Sequence, residues 1–172
     1  MMAQPKPPVD PESADARDFR DAMATLAATV CVVTAREGDR CLGRTVTAAL
    51  SLGVAPPTIL VSISATSELA RVIHATGGFS FAMLSEGLDD VADAFAGKLP
   101  PDQRFFDGDW LDWPSGHPRL VDSVASMDCT VTGQFEAEGH QLFIGQVRDI
   151  IRTPRRKPLL WYKRNYGSVS AL

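Results

Sequence analysis

The chain has 172 residues, 45% of them hydrophobic and 22% charged, which is the balance of a single globular domain. The net charge of −4 argues against nucleic acid as a general partner, and the lack of an apolar run of about 18 residues argues against a membrane span. Three cysteines without C-x-x-C spacing predict reduced thiols rather than disulfides or a thiolate metal site.

The N-terminal residues differ in composition from the rest of the chain. Residues 1–12 are rich in proline and show no apolar periodicity, so we expect a disordered N-terminal tail there. This stretch has the features of neither a secretory signal nor a membrane anchor, and the cytoplasm is therefore the expected compartment. Residues 13–168 are expected to form one folded domain.

The first predicted elements are one helix and three strands. Apolar residues recur on one face of a helix at residues 15–28. Runs rich in β-branched residues predict strands at 29–34, 41–52 and 58–64, the last two separated by a Pro-Pro break. Because these strands follow one another closely, we predict an antiparallel meander.

Two short helices with a strand between them come next. Ser67 is the predicted N-cap of the first helix, which should end at Gly77. An apolar strand then covers residues 79–84. Ser85 is in position to cap the second helix, and Gly97 is in position to end it.

A proline-rich aromatic loop occupies residues 98–118. Its length inside a small domain suggests a lid or a subunit contact, with Trp110 and Trp113 as anchors in the core or in a dimer. Its polar residues have no ligand-like spacing, so we predict a solvated loop face and no metal site. These polar residues are Asp102, Asp107, Asp109, Asp112 and His117.

The chain closes with strands at 127–137 and 141–151, joined by a short turn, and with an ordered segment at 158–166. Six or seven mostly consecutive strands with three short helices do not match the alternating units of a Rossmann domain. We therefore predict a mainly β, α+β fold, a small antiparallel closed or split barrel with short peripheral helices.

The segment 43–51 is the first candidate for a binding site. Strand alternation places the small side chains of Thr45, Thr47, Ala49 and Ser51 on one face. Small residues let a planar ring lie close to the backbone, where peptide groups can bond its polar edge. An ordinary hydroxyl-rich strand is the alternative that the residues alone leave open.

A second candidate site follows at residues 62–67. Ser62, Ser64, Thr66 and Ser67 surround a predicted helix start, where free N–H groups favour a phosphate. A ring beside one strand and a phosphate at the next helix start would describe a mononucleotide. Ordinary helix capping is the alternative here.

Several motifs together resemble those of the short-chain flavin reductases of two-component monooxygenases, over residues 19–166. The main one is G-x-T-V-T-A-A-L-S at residues 43–51, followed by A-P-P-T-I-L-V-S-I-S at 55–64. Further matches are Arg104-Phe105, G-H-P-R-L at 116–120, E-G-H at 138–140, I-G-Q-V at 144–147 and P-L-L-W-Y at 158–162. The family commonly has Asn near Ala65 and Asp at Gly139, and this chain departs from it there.

The resemblance implies a homodimeric, FMN-binding split barrel that reduces FMN, or FAD, with NADH or NADPH for a separate flavin-dependent oxygenase. It implies that the isoalloxazine ring contacts Thr45, Val46, Thr47 and Ala48, with Ser51 on the same strand. It also implies that the ribityl and phosphate groups contact Ser62, Ser64, Thr66 and Ser67. His140 would stand near the nicotinamide, and Tyr166 on the dinucleotide side.

No catalytic side chain is expected beyond those that position the cofactors. Hydride transfer between two cofactors requires stacking and orientation more than a protein acid or base. Two alternatives stay open on the sequence. One is a flavin-dependent reductase of another acceptor, such as a corrinoid or a ferric chelate, and the other is a non-catalytic flavin- or haem-binding barrel.

Overall fold

The computed structural model describes residues 12–170, so nearly all of the expected N-terminal tail lies outside the described residues. The helices are Ala14–Ala24 (α1), Glu68–Thr76 (α2) and Asp89–Asp93 (α3). The strands are Ala28–Thr29 (β1), Cys31–Glu37 (β2), Arg40–Val46 (β3), Ala49–Val54 (β4), Pro57–Ser64 (β5), Gly78–Met83 (β6), Trp110–Asp112 (β7), Pro118–Leu120 (β8), Ala125–Ala137 (β9), His140–Arg152 (β10), Leu159–Tyr162 (β11) and Asn165–Ser168 (β12).

Seven strands form one antiparallel sheet in the order β3-β2-β6-β9-β10-β5-β4. The chain passes from β3 to β4 through Thr47 and Ala48, so the two ends of the sheet lie next to each other and the sheet curves into a barrel. The amide of Ser62 in β5 donates to the carbonyl of Ala48 at 3.1 Å, which extends the β4–β5 pairing into the turn that leads from β3. A smaller sheet, β1-β11-β12, lies beside the barrel.

The inner core is the apolar cluster inside the barrel. Val33, Val61, Phe79 and Phe143 are fully buried there, and α2 adds Val72 and Ile73. Helix α2 begins and ends as its sequence predicts, because the Ser67 hydroxyl accepts a hydrogen bond from the Ala70 amide and Gly77 adopts φ of 70°.

The outer core is a second apolar cluster on the outside of the barrel wall. It joins Val30, Leu84 and Leu120 to Phe95, which follows α3. The ring of Phe95 meets those of Phe105 and Trp110 at centroid distances of 5.0 and 5.3 Å. Since these rings pack in a core, the expected lid at residues 98–118 is largely a structural layer instead.

The prediction of a single strand at 41–52 is wrong. It consists of β3 and β4, which lie at opposite ends of the sheet order, and the predicted meander is interrupted there. The amide of Ala49 donates to the carbonyl of Thr47, so the backbone turns between the two strands. The turn also shifts the alternation, because Val46 and Ala49 both pack on the inner core.

Both predicted helices flanking the barrel are shorter than expected. α1 ends at Ala24, and residues 28–29 pair with β11 instead. Ser85 does not cap α3, because its hydroxyl donates to the carbonyl of Asp122 at 2.6 Å. After α3 the chain continues through a wider π-helical turn, Ala94–Lys98, where Gly97 has φ of 113°. Within residues 12–170, no helix is long and apolar enough to cross a membrane.

Candidate functional site

The free edge of β3 forms one side of the candidate site. β3 ends the sheet order and pairs with β2 alone, and the carbonyl of Gly43 accepts a hydrogen bond from Arg104 Nη1 at 3.2 Å on the other side. Peptide groups of alternate residues in a strand point to the same edge. The N–H and C=O of Thr45 therefore also face the free edge, where they can bond a ligand.

α3 and the π-helical turn after it form the outer wall of the site. The Thr45 hydroxyl donates to the carbonyl of Ala92 at 2.6 Å, which fixes the wall to β3. The Tyr166 hydroxyl donates to Asp93 Oδ1 at 2.7 Å, and Lys98 Nζ lies 2.5 Å from the other carboxylate oxygen. Burial, followed by the contact with Asp93, raises the pKa of Tyr166. Tyr166 thus stays a neutral donor with a fixed direction.

Three cavities meet at Thr47. One of about 170 Å³ lies between β3, Ala96, Trp161 and Tyr166. A second, of about 400 Å³, extends along α1 past Phe19. A third, of about 450 Å³, extends past Ala49 and Ser51 on the open end of the barrel. Thr47 and Ala48 are exposed, so a flat ligand has room beside the backbone at this junction.

The loop after β5 forms the other end of the candidate site. The hydroxyls of Ser64 and Thr66 lie 3.2 Å apart and are exposed. The amide of Ala65 donates to the carbonyl of Gly139 at 2.9 Å, and His140 stands opposite Ser64 in the sheet. The tip of the β9–β10 hairpin therefore lies against this loop.

The tight turn at that hairpin tip explains the position of His140. Glu138 and Gly139 have φ of 48° and 74°, and two residues with positive φ make the two-residue turn that suits a twisted hairpin. The exposed His140 is the first residue of β10 after this turn, and its Nδ1 lies 3.3 Å from the carbonyl of Glu138.

The predicted site residues thus fall into two groups joined by one backbone contact. The ring group contains Thr45, Val46, Thr47 and Ala48, with Tyr166 beside it. The loop group contains Ser62, Ser64, Thr66 and Ser67, with His140 beside it. The contact from the Ser62 amide to the Ala48 carbonyl links them.

Ser51 is not where the sequence places it. It stands opposite Ile59 of the inner core, whereas Thr45 contacts α3 on the outside of the barrel. The prediction that Thr45 and Ser51 share a face is therefore wrong, because the turn at Thr47 and Ala48 interrupts the alternation. Ser51 still lines the third cavity at Thr47.

Two contributors to the site escape prediction. Asp93 orients Tyr166, but it lies in an ordinary amphipathic helix pattern, and nothing in the sequence indicates this contact. Arg104 contacts Gly43 of β3, 61 positions away in the sequence, and its place in the Arg-Phe motif is the only feature of the sequence that points to it.

A larger cavity, about 750 Å³, lies elsewhere, between the β2–β3 hairpin and residues 101–112. Three of its charged side chains are already paired, because Arg36 contacts Asp112 at 2.6 Å and Arg40 contacts Glu68. It contains none of the predicted residues. The smaller cavities at Thr47 combine a free backbone edge, small side chains and an oriented phenol, so the candidate site is assigned there.

Comparison with known proteins decides the family. Residues 23–170 match the model of the flavin reductase like domain. The chain belongs to this family. It is 32% identical over 152 residues to the FMN reductase (NADH) RutF of Ancylobacter novellus, covering 88% of this chain and 84% of that protein.

Solved structures of flavin reductase-like proteins agree. Nitrilotriacetate monooxygenase component B from Mycobacterium thermoresistibile has a TM-score of 0.85 and 26% identity, covering 91% of this chain and 87% of that one. The NADH:FAD oxidoreductase SgcE6 of Streptomyces globisporus C-1027 has a TM-score of 0.85 and 25% identity, covering 98% and 100%. The predictions of family, of an antiparallel split-barrel fold and of an oxidoreductase are confirmed.

Proposed function

We propose that this flavin reductase-like protein binds FMN along the free edge of β3 and reduces it with NADH for a separate oxygenase. The observation that carries the proposal is the edge itself. The peptide groups of Thr45 face outward beside small, exposed residues and next to the cavity walled by Trp161 and Tyr166. A flavin ring needs such a combination of backbone donors and flat apolar walls.

The residues of the chain position and shield the reaction. When bound, the flavin supplies an N5 atom that accepts a hydride from C4 of the nicotinamide. The backbone of Thr45 to Ala48 bonds the polar edge of the ring, and its N–H groups favour the negative charge that reduction adds. The Thr45 hydroxyl contributes indirectly, since it holds α3 against β3. Trp161 and Tyr166 exclude water from one side of the ring.

The hydroxyl-rich loop is proposed to hold the ribityl part of the flavin and to offer its phosphate neutral hydroxyl donors, so that the positive charge for the phosphate must come from other side chains. Ser62, Ser64, Thr66 and Ser67 lie within one short segment beside His140. The Ser67 oxygen accepts from the Ala70 amide at 3.2 Å, which fixes the hydroxyl while leaving its O–H able to donate. The Ser64 and Thr66 hydroxyls bond each other at 3.2 Å, so one O–H of this pair also remains to donate to a ligand. Ser51 lines a neighbouring cavity and is proposed to contact the ring only at its far side.

His140 and Tyr166 are proposed to contact the dinucleotide, His140 at the nicotinamide. The His140→Ala variant tests this role, because the side chain is exposed and its loss should leave the fold intact. We expect a rise of roughly three- to tenfold in the KM for NADH, as for one lost hydrogen bond. His74→Ala, at an exposed histidine on α2, is the control. If the KM for NADH were the same in His140→Ala and His74→Ala, the proposed contact of His140 with the nicotinamide would be contradicted.

A homodimer is proposed because apolar residues remain exposed around the site. Leu50, Leu52 and Val54 of β4 are 53%, 49% and 88% exposed, and Phe19 of α1 is 66% exposed. Phe19 and Leu50 line cavities that meet at Thr47, so a second copy covering them would also close the candidate site. Light scattering on the Leu52→Asp variant should show monomers. Leu111→Asp, at a 54% exposed leucine elsewhere, should remain dimeric.

One assay tests the activity as a whole. The protein is mixed with NADH or NADPH and with excess FMN or FAD, and loss of the reduced nicotinamide absorbance is followed. Oxidation with FMN and NADH supports the proposal, and the other pairs rank NADPH and FAD. No oxidation with any pair would contradict it and favour a binding protein without turnover. The oxygenase partner and the cytoplasmic location stay predictions.

A further inference from the structure

Arg104 is anchored to the backbone and leaves part of its guanidinium free. Its Nε donates to the carbonyl of Leu99 at 3.1 Å, and its Nη1 donates to the carbonyl of Gly43 at 3.2 Å. A guanidinium carries five N–H donors, so others remain available. Among residues 12–170 no carboxylate forms an ion pair with it. The side chain is thus a positioned cation at the free edge of β3.

Arg44 brings a second unpaired cation to the same place. It directly follows Gly43 and is exposed, and its side chain has no hydrogen bond or ion pair within the part of the chain that the structure describes. Burial, and after it the positive charge of Arg44, lower the pKa of Arg104. Two cations that oppose each other without a counter-ion form a site that an anion would stabilise.

Other arginines of the barrel show what a structural arginine does in this protein. Five of them donate to a carboxylate on another element, in the pairs Arg36–Asp112, Arg40–Glu68, Arg71–Glu37, Arg156–Asp122 and Arg164–Asp21. Others have no carboxylate partner but a different contact, since Arg148 donates to the Thr130 hydroxyl and Arg119 lies over the Trp113 ring. Arg44 and Arg104 lie beside the candidate site and follow a different pattern. They lie close enough for the charge of one to act on the other, and an anionic ligand bound beside them would supply the counter-charge.

The start of α2 is less suited to a phosphate than its sequence suggests. The Ser67 hydroxyl already accepts from the Ala70 amide, and the carboxylate of Glu68 stands in the first turn, paired with Arg40. A phosphate there would meet this negative charge. Arg44 and Arg40 lie on the same face of β3, so Arg44 offers a cation nearby that no acid neutralises.

We propose that Arg44 and Arg104 together bind a phosphate group of the nucleotide in the candidate site, across the free edge of β3. The inference rests on the proposed function, since it names which residues select the charged part of that ligand. A guanidinium pair suits a phosphate dianion, because two planar forks can donate to its oxygens at once. The phosphate belongs either to the flavin or to the dinucleotide.

The test compares ligands that differ by a phosphate. FMN and riboflavin are titrated separately into the full-length protein at low salt, and dissociation constants are read from flavin fluorescence without any nicotinamide. In Arg44→Gln the preference for FMN over riboflavin should fall about fivefold, and in Arg104→Gln more than tenfold. Arg71→Gln, which removes an exposed cation from α2, is the control and should keep the wild-type preference.

The outcomes separate the two sources and the two proposals. A fallen FMN preference in both variants assigns the phosphate to the flavin. An unchanged preference with raised KM values for NADH and NADPH assigns it to the dinucleotide. If neither quantity changes in Arg44→Gln, which leaves the buried structure intact, the phosphate proposal is overturned. Wild-type protein that binds no flavin and oxidises no nicotinamide overturns the proposed function itself.

Discussion

The inner and outer cores do different work in this barrel. The inner core joins seven strands and α2 around fully buried residues such as Val61 and Phe143. The outer core joins one face of the barrel to α3 and the aromatic loop through Phe95, and its polar contacts reach β3 at Gly43 and Thr45. Both are tightly packed. The inner core reaches the candidate site through Val46 and Ala49, whereas the outer core forms the wall of the site and its polar anchors.

The difference shows how a small barrel can carry a site without opening its interior. The inner core sets the path of β3 and β5, and the outer core decides which groups stand beside the free edge. Changes in the inner core away from Val46 and Ala49 should therefore act on stability alone. Changes of the same size in the outer core should act on stability and on flavin binding.

Truncation of one phenylalanine in each core is the strongest test. Phe143→Ala and Phe95→Ala should each lower the free energy of unfolding by about 3–5 kcal/mol, because both remove a fully buried ring. Denaturant unfolding measures the loss. At a temperature where both variants are folded, FMN should bind normally to Phe143→Ala and weakly to Phe95→Ala. Equal affinities would remove the distinction between the cores.

Two glycines allow the opposite change, an added methyl group. A Cβ at Gly43 would overlap the ring of Phe95, and a Cβ at Gly145 would lie 2.5 Å from Phe79 in the inner core. Each alanine variant should lose about 1–3 kcal/mol in thermal unfolding, as overpacked sites do. Gly43→Ala should also weaken FMN binding, since β3 must move. A Gly145→Ala variant with the same binding defect would contradict the division.

The sequence predicts those structural features that depend on neighbouring residues, such as helix caps and hairpin turns. The Ser67 cap, the Gly77 terminus and the hairpin before His140 each follow from neighbouring residues, and the structure contains them. The turn at Thr47 and Ala48 does not follow, because a β-branched run gives no sign that the chain leaves one edge of the sheet for the other.

Contacts between distant segments account for the remaining differences. Serine is a common N-cap residue, but the Ser85 hydroxyl donates to a carbonyl 37 positions away. A rule based on neighbouring residues cannot predict such a partner. Arg104 and Asp93 likewise gain their roles from elements remote in sequence. The binding groups on β3 are mostly backbone atoms, which any residue would supply, so composition alone indicates them weakly.

Loss of a single hydroxyl should give a smaller effect of the same kind. Thr34→Val removes a buried hydrogen bond of 2.7 Å to the carbonyl of Pro118, and Thr45→Val removes the one of 2.6 Å to Ala92. Each should lower the free energy of unfolding by about 1–2 kcal/mol in denaturant titrations. FMN affinity should fall only in Thr45→Val, where α3 loses its contact with β3. If FMN affinity fell in Thr34→Val and not in Thr45→Val, this interpretation would be contradicted.

The smallest expected effect is a pH dependence of stability at His117, a buried group that the candidate site does not use. Burial lowers the pKa of His117 below its ordinary 6.5, and the charge of Arg36 adds to this, while Asp128 partly opposes it. Its Nδ1 accepts the amide of Arg36 at 3.2 Å, which requires an unprotonated nitrogen. The folded state therefore binds fewer protons than the unfolded state just below pH 6.5.

Stability should accordingly fall as the pH drops below 6.5, by less than about 1.4 kcal/mol per unit for this one proton. Urea unfolding across this range measures the slope, which His117→Gln should reduce, while His74→Gln, at the exposed histidine of α2, should not. Riboflavin affinity of the folded protein should stay constant over the same range in all three proteins. A parallel loss of affinity would mean that this buried histidine is coupled to the site, and the separation between structural and binding layers would not hold there.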